Sequence, residues 1–288
     1  MFLGTPDTAV APLDALVAAG FDVALVVTGP DKRRGRGGVT SPTPVKAAAE
    51  RLGLAVSHDP ADAASVDAQA GVVVAYGQIL ERALLEAIPM VNLHFSLLPR
   101  WRGAAPVERA ILAGDDRTGV CVMAVEEGLD TGGVYATVEV PIDPTATAED
   151  LRTQLTGAGA RLLVETLRRG LDDPAPQEGE ATYAHKLATD DLRVDWTRPV
   201  DEIHRVIRVG GAWTTVGGRR LKVVEAEPVT TVDEGSPAEP GSLRGDAVAT
   251  GSGWLRLRRV QPEGRTVTDA TAWLGGARLA PDERLGAS

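Results

Sequence analysis

The chain has 288 residues, 43% hydrophobic and 24% charged, with a formal net charge of −10. At about 100–200 residues per domain this is one large domain or two unequal ones, apolar enough to build a packed core. A single cysteine, Cys121, excludes an internal disulfide. With histidines only at 58, 94, 185 and 204, no metal-ligand spacing occurs and no metal is expected.

Residues 1–6 lack a basic flank and a long apolar region, so no signal peptide is expected. No apolar run reaches the ~18 residues that span a bilayer, so no membrane partner is expected and the expected setting is a cytoplasm. The charge is uneven. Residues 1–192 carry 16 Lys and Arg against 27 Asp and Glu, a net −11, while residues 193–288 carry 14 against 13. The acidic part also holds the densest basic cluster, Lys32-Arg33-Arg34-Gly35-Arg36. Phosphate contact follows local charge, so a nucleic-acid partner stays open.

In chain order, Gly4-Thr5-Pro6-Asp7 reads as a tight turn opening a helix over 8–19, without the glycine spacing of a dinucleotide fingerprint. Residues 21–28 read as a strand and 44–52 as a helix, with Pro44 in its first turn and Gly53 at its end. Residues 71–76 are β-branched and apolar throughout, as in a strand buried on both faces of a parallel sheet, and 89–94 and 118–125 look similar. Helical patterns fit 78–87, 105–113 and 147–169. Strand–helix alternation predicts an α/β fold with an open, mostly parallel, Rossmann-like sheet. Residues 170–179 are polar, acidic and proline-rich, as in a connection between domains. Beyond them come a short helix at 201–207 and short strands at 212–216, 219–227, 247–250 and 254–260. These predict a small OB-like β-barrel, with 231–240 as a polar, mobile insertion. The expected division is 1–180 for the α/β domain, 181–199 for a linker and 200–288 for the C-terminal domain.

Three segments could carry chemistry. Asn92 and His94 alternate at the end of a predicted strand, so both side chains share one face, where open α/β sheets place ligands. An amide beside an imidazole can bind a carbonyl oxygen and hold the oxyanion formed on attack; the bland alternative is a satisfied core histidine. The loop 97–106 is too apolar for a solvated connector, as loops lining a site are. Glu126-Glu127-Gly128-Leu129-Asp130-Thr131-Gly132-Gly133 would bring carboxylates to another strand end, and Asp130 near His94 could relay a proton through water; alone, it reads as a turn aspartate. The run 32–40 reads either as a solvated turn or as an arm that orders on phosphate.

These segments resemble the methionyl-tRNA formyltransferases, within the 10-formyltetrahydrofolate-dependent formyltransferase family. The likeness runs from GTPDTA at Gly4 through PDKRRGRGG, VVVAYGQIL and VNLHFSLLPRWRGAAPVERAI to the LDTG starting at Leu129. It continues through TYAHKL, RVDW and the terminal GARLAPDERLG. The resemblance implies formyl transfer from 10-formyltetrahydrofolate to the α-amine of methionine on charged initiator tRNA, in translation initiation. It implies Asn92, His94 and Asp130 as catalytic residues. Ser96, Leu97, Leu98 and Pro99 would contact the folate, and Ala75, Tyr76, Gly77, Glu126, Glu127, Gly128 and Leu129 would wall the pterin pocket. Lys32, Arg33, Arg34, Arg36, Arg219, Arg220 and Lys222 would bind tRNA. No metal and no covalent intermediate are implied, and a monomer is expected. Two departures stand out: a short first strand at Met1, and Val209-Gly210-Gly211-Ala212-Trp213 where the family has Asn-Pro-Trp-Pro. The alternatives are a sugar-amine N-formyltransferase using the same donor, a formyltetrahydrofolate hydrolase, and a catalytically silent RNA-binding protein.

Overall fold

The computed structural model describes residues 1–34, 39–78, 80–229, 238–280 and 283–287. The chain divides into two compact units. The first takes 1–107, 117–142 and 150–185; the second takes 108–116, 143–149 and 186–288. The segment expected as a linker, 181–199, is therefore shared between the units, with its first five residues in the first.

In chain order the strands up to residue 185 are β1 (Phe2–Gly4), β2 (Val26–Val27), β3 (Lys32–Arg34), β4 (Val39–Ser41), β5 (Val56–Ser57), β6 (Gly71–Val74), β7 (Met90–His94), β8 (Arg102–Gly103), β9 (Arg117–Ala124), β10 (Val134–Pro141) and β11 (Tyr183–Ala184). The helices are α1 (Val10–Ala18), α2 (Pro44–Arg51), α3 (Arg82–Ala87), α4 (Pro106–Ala113) and α5 (Ala148–Arg169). Among the described residues seven strands form one sheet in the order β10-β9-β7-β6-β1-β2-β5. The five strands β7, β6, β1, β2 and β5 are parallel, while β9 runs antiparallel to β7 and β10 antiparallel to β9. The mostly parallel α/β fold is as expected. The connections reverse direction between β1 and β6, so the crevice of a doubly wound sheet opens between the loops that follow those two strands. Thr5 sits there, its hydroxyl donating to the Tyr76 carbonyl at 3.4 Å and accepting from the Gly29 amide at 3.3 Å.

The short first strand is nonetheless central: Phe2 and Leu3 are fully buried between two neighbours. Only Val26–Val27 of the strand expected at 21–28 joins the ladder, because the register Phe2↔Val26 leaves no β1 residue opposite 21–24. The helix expected over 78–87 begins at Arg82, after Glu81 in extended backbone. In the run 32–40, expected as a turn or an arm, β3 pairs antiparallel with β4, Arg33 opposite Thr40, while residues 35–38 lie outside the described residues.

Helix α5 covers one face of the sheet. Leu151, Leu155, Gly159 and Leu163 recur at intervals of four and form one stripe, with the three leucines almost completely buried. A Cβ at Gly159 would lie 3.0 Å from Val120 Cγ1 and 3.1 Å from Leu93 Cδ2, so glycine is what lets the helix approach β7 and β9. Leu93 faces α5, and its neighbours Asn92 and His94 therefore face the other side.

The second unit adds α6 (Val200–Val209), β12 (Trp213–Val216), β13 (Arg219–Val229), β14 (Leu243–Arg244), β15 (Ala247–Ala249), β16 (Trp254–Pro262), β17 (Thr268–Asp269) and α7 (Ala270–Ala277). Its antiparallel sheet has the order β12-β13-β16-β15-β14, with β17 on β16. The C-terminal residues lie between the two edges. Gly286 N donates to Thr215 O at 2.8 Å, and Leu285 N donates to Gly241 O at 2.9 Å. Helix α7 was not read from the pattern, although Asp269 before Ala-Thr-Ala is a cap signal: its carboxylate accepts from the Thr271 and Ala272 amides at 2.9 and 3.1 Å. Buried Arg208 donates to the carbonyls of Ala146 and Asp143 at 2.7 and 2.9 Å, which ties 143–149 into this unit. Trp196 is buried in the core with Ile203, Ile207, Leu221 and Leu255, and its indole N–H donates to Thr214 Oγ1 at 2.9 Å.

Thr214→Val keeps the shape and strands that indole N–H, so unfolding of the second unit should cost about 1–3 kcal/mol less; an unchanged denaturant midpoint would remove the bond from the stability of this core. Burial, seconded by Arg208, lowers the His204 pKa from its ordinary 6.5, against Asp201, the Ala226 backbone and Glu227, which raise it. The unfolded chain then binds the proton more readily, so stability is complete above the ordinary histidine range and is lost as pH falls through the lowered folded value. Denaturant midpoints measured between about pH 7 and 5 should drop in the wild type and flatten in His204→Gln. The depressed carboxylates Asp143, Asp195 and Asp269 act in a separate window, below their ordinary 3.8.

Candidate active site

Strand β7 delivers Asn92 and His94 to the face opposite α5, next to the end of β6. His94 is 5% exposed, so its ring nitrogens need partners. Nε2 lies 3.0 Å from the Trp101 carbonyl. A carbonyl only accepts, so Nε2 carries the proton and Nδ1 is the nitrogen on the side of Asp130. Nδ1 is 3.6 Å from Asp130 Oδ2, within ion-pair reach. Asn92 Nδ2 donates to Asp130 Oδ1 at 3.5 Å, and the Gly103 amide donates to Asp130 Oδ2 at 2.7 Å. An amide, an imidazole and a carboxylate thus converge as the sequence expectation required. The contacts of 3.5 and 3.6 Å are longer than ordinary hydrogen bonds, whereas the Gly103 amide holds the same carboxylate at 2.7 Å.

The route by which Asp130 arrives differs from the expectation. Because β9 is antiparallel to β7, its carboxyl end at Ala124 pairs with Val91, the foot of β7, and not with His94 at its head. Residues 125–133 therefore turn back along the sheet face to bring Asp130 to Asn92 and His94. Two glycines permit this return. A Cβ on Gly132 would lie 2.0 Å from Ala124 O, and one on Gly133 would lie 2.9 Å from Pro174 Cβ. Asp130 itself has φ 51° and Trp101 has φ 64°, both in the left-handed region that costs a non-glycine residue about 1–3 kcal/mol. Both residues that face the imidazole are held in strained backbone.

The other expected residues fall as follows. Ala75 (φ 46°), buried Tyr76 and Gly77 (φ 75°) form the loop leaving β6 beside the head of β7. Ser96 is fully buried, and its hydroxyl donates to Arg100 O at 2.6 Å, closing the turn 96–100. Leu97 packs on Gly119 of β9, where a Cβ would meet Leu97 Cδ2, and Leu98–Pro99 is a cis peptide. Glu126, Glu127, Gly128 and Leu129 are exposed on the returning loop, with Leu129 62% exposed and Glu127 3.4 Å from Arg82. Lys32, Arg33 and Arg34 lie on β3, whereas Arg36 lies outside the described residues. In the second unit Arg220 and Lys222 share one face of β13 and Arg219 takes the other. Arg220 stacks 4.2 Å from the Trp213 ring centroid. A cavity of about 700 Å³ in this unit is lined by Arg219, Arg220, Arg265, Arg278 and Trp273, and none of its lining residues belongs to the first unit. Among the described residues no cluster of His, Cys, Asp and Glu could hold a metal ion.

Sequence reasoning missed the backbone groups of Trp101 and Gly103, and it missed Gln177. Gln177 lies in the stretch expected to join domains, yet its Nε2 donates to the carbonyls of Asp130 and Gly132, each at 2.8 Å. The nearby Thr182 accepts from the Trp101 amide at 2.9 Å. No periodicity marks such residues; the pairing of β11 with β8 and of Ala175 with Val134 brings their segment to the site.

Residues 1–167 match the family described as Formyl transferase, and residues 186–278 match Formyl transferase, C-terminal domain. A methionyl-tRNA formyltransferase of Corynebacterium aurimucosum is 46% identical over 315 aligned residues, covering 95% of this chain and 92% of that protein. Among solved structures, HypX from Aquifex aeolicus in complex with tetrahydrofolic acid has a TM-score of 0.67 at 18% identity, over 95% of this chain and 46% of that one. This chain thus spans about half the length of HypX. An N-formyltransferase from Helicobacter canadensis, in complex with folinic acid and dTDP-3-aminofucose, has a TM-score of 0.68 at 17% identity, over 89% of this chain and 97% of that one. At those identities the likeness to the two structures is one of fold. With two family matches that together span most of its length, and a relative at 46% identity, the chain belongs to the formyl transferase family.

Proposed function

We propose that the protein transfers the formyl group of 10-formyltetrahydrofolate to the α-amine of methionine on charged initiator tRNA, acting as a cytoplasmic monomer. The observation that carries this reading is the 46% identity, across 95% of the chain, to a protein named for that reaction. The geometry of Asn92, His94 and Asp130 supports the chemistry. Among the described residues no helix is long and apolar enough to cross a membrane.

In the reaction the amine nitrogen attacks the formyl carbon and the carbonyl π electrons move to oxygen. Asn92 Nδ2 and the His94 ring in its protonated form face that oxyanion and stabilise it. Asp130 orients His94 and assists removal of the proton from the attacking amine. Collapse of the intermediate breaks the bond between the formyl carbon and the folate N10, which leaves with a proton. The folate is assigned to the wall formed by Ala75–Gly77, Ser96–Pro99 and Glu126–Leu129. With its hydroxyl committed to Arg100 O, Ser96 would contribute through its backbone. The tRNA is assigned to Lys32, Arg33, Arg34 and Arg36, with Arg219, Arg220 and Lys222 in a C-terminal domain of OB-like type. The sugar-amine reading shares the catalytic groups, but its support is a likeness at 17% identity.

Formylation of methionyl initiator tRNA, with a nucleotide-linked amino sugar as the control acceptor, tests the reading; transfer to the sugar alone would overturn it. His94→Ala and Asp130→Ala should fold and each lose roughly 10²–10⁴ in kcat, the range for removing an acid–base or oxyanion group. Near-wild-type turnover at saturating substrate would remove that residue from the mechanism. Arg36→Ala should raise KM for charged tRNA, leave folate binding intact and reduce the salt slope of tRNA binding by about 0.7–0.9 for one lost phosphate contact. An unchanged slope would reduce the loop to a solvated turn.

A further inference from the structure

We propose that Gln177 is a positioning residue for the proposed catalytic carboxylate, locking Asp130 in place through a closed ring of hydrogen bonds with Arg102. The inference deepens the reading of this site as a formyl-transfer centre and rests on it for its kinetic test.

The ring follows from donor and acceptor chemistry. Gln177 Oε1 accepts from Arg102 Nε at 3.1 Å and Nη2 at 2.7 Å. Its Nε2 donates to Asp130 O and Gly132 O, each at 2.8 Å. A guanidinium only donates and a carbonyl only accepts, so the amide satisfies all four contacts in one orientation. The residue after Arg102 closes the ring, since the Gly103 amide donates to Asp130 Oδ2 at 2.7 Å. Asp130 is thus gripped twice, at its carbonyl by Gln177 and at its carboxylate by the strand that carries Arg102. This grip keeps it at φ 51°, with its carboxylate turned toward His94 and Asn92. Gln177 has a firm base of its own. Two residues before it, Ala175 exchanges both backbone hydrogen bonds with Val134, at 2.8 and 2.9 Å. Beyond it, Tyr183–Ala184 pairs with Arg102–Gly103. Gln177 contacts backbone carbonyls and Arg102, and its effect on the reaction passes through Asp130.

Two variants separate this role from general packing. Gln177→Met keeps the length and removes every donor and acceptor. Gln177→Glu keeps an acceptor for Arg102 and sets carboxylate oxygens against the two carbonyls. Each should lower kcat by on the order of 10–10²-fold, as for a misplaced catalytic group, with KM for both substrates changed by less than about twofold. In an Asp130→Asn background Gln177→Met should cause no further loss, because both changes remove the same positioned carboxylate. Independently of turnover, the Gly103 amide should lose hydrogen-exchange protection in Gln177→Met by about tenfold or more, since its partner is no longer fixed. Wild-type kcat and wild-type Gly103 protection in Gln177→Met would overturn the inference, as would a full additional loss in the Asp130→Asn background. A wild-type protein that forms no formylmethionyl-tRNA would overturn the formyl-transfer reading, while Gly103 exchange would still decide the role of Gln177.

Discussion

An imidazole buried to 5% exposure has to be satisfied by groups fixed before substrate arrives, and the two that face His94 both come from strained backbone. The Trp101 carbonyl, from a residue at φ 64°, takes Nε2–H, and the Asp130 carboxylate, from a residue at φ 51°, faces Nδ1. Left-handed backbone at a non-glycine residue persists only where neighbouring contacts over-determine it. Besides the Gly103 amide, one short stretch of chain supplies such contacts to both residues: Thr182 accepts the Trp101 amide and Gln177 donates to the Asp130 carbonyl. The segment 174–184 is thus a brace across the face of the sheet.

The sheet makes that brace necessary. Had β9 continued the parallel order, Asp130 would have left a strand end beside His94 directly. The antiparallel turn puts that end at the foot of β7, and the returning loop has to cross the distance with no ladder of its own. Gly132 and Gly133 let it lie against Ala124 and Pro174, and the Gly103 amide receives the carboxylate at its far end. On the other face, Gly159 brings α5 close to Leu93 and Val120 and steadies β7 from behind. The face that carries Asn92 and His94 is held by polar contacts and its back by apolar packing.

The second unit solves a different problem. Its sheet leaves β12 and β14 at the ends of the strand order, and residues 284–287 hydrogen-bond toward both. Apolar burial around Trp196 dominates its interior, while Arg208 and Thr214 remove the polar liabilities that burial creates. Residues 193–288 carry 14 Lys and Arg against 13 Asp and Glu, yet arginines gather around a cavity and over Trp213, a distribution invisible in a net count.

Much of this was written into the residues. Apolar runs at 71–76 and 89–94 marked buried strands, and alternation along β7 determined that Asn92 and His94 share a face, because side-chain direction in a strand is set by backbone geometry alone. The leucine spacing in α5 and the glycines around Asp130 were equally legible, since period and small residues are local properties. The direction of β9 was not, because a fully buried strand reads the same in either orientation. Nor was Gln177, which in sequence is one polar residue in a polar stretch, 47 positions from the carbonyl it holds. Hydrogen bonds between backbone groups and distant side chains depend on register and chain path, which only tertiary packing decides; a residue's chemistry says what it could bind, and the fold chooses the partner.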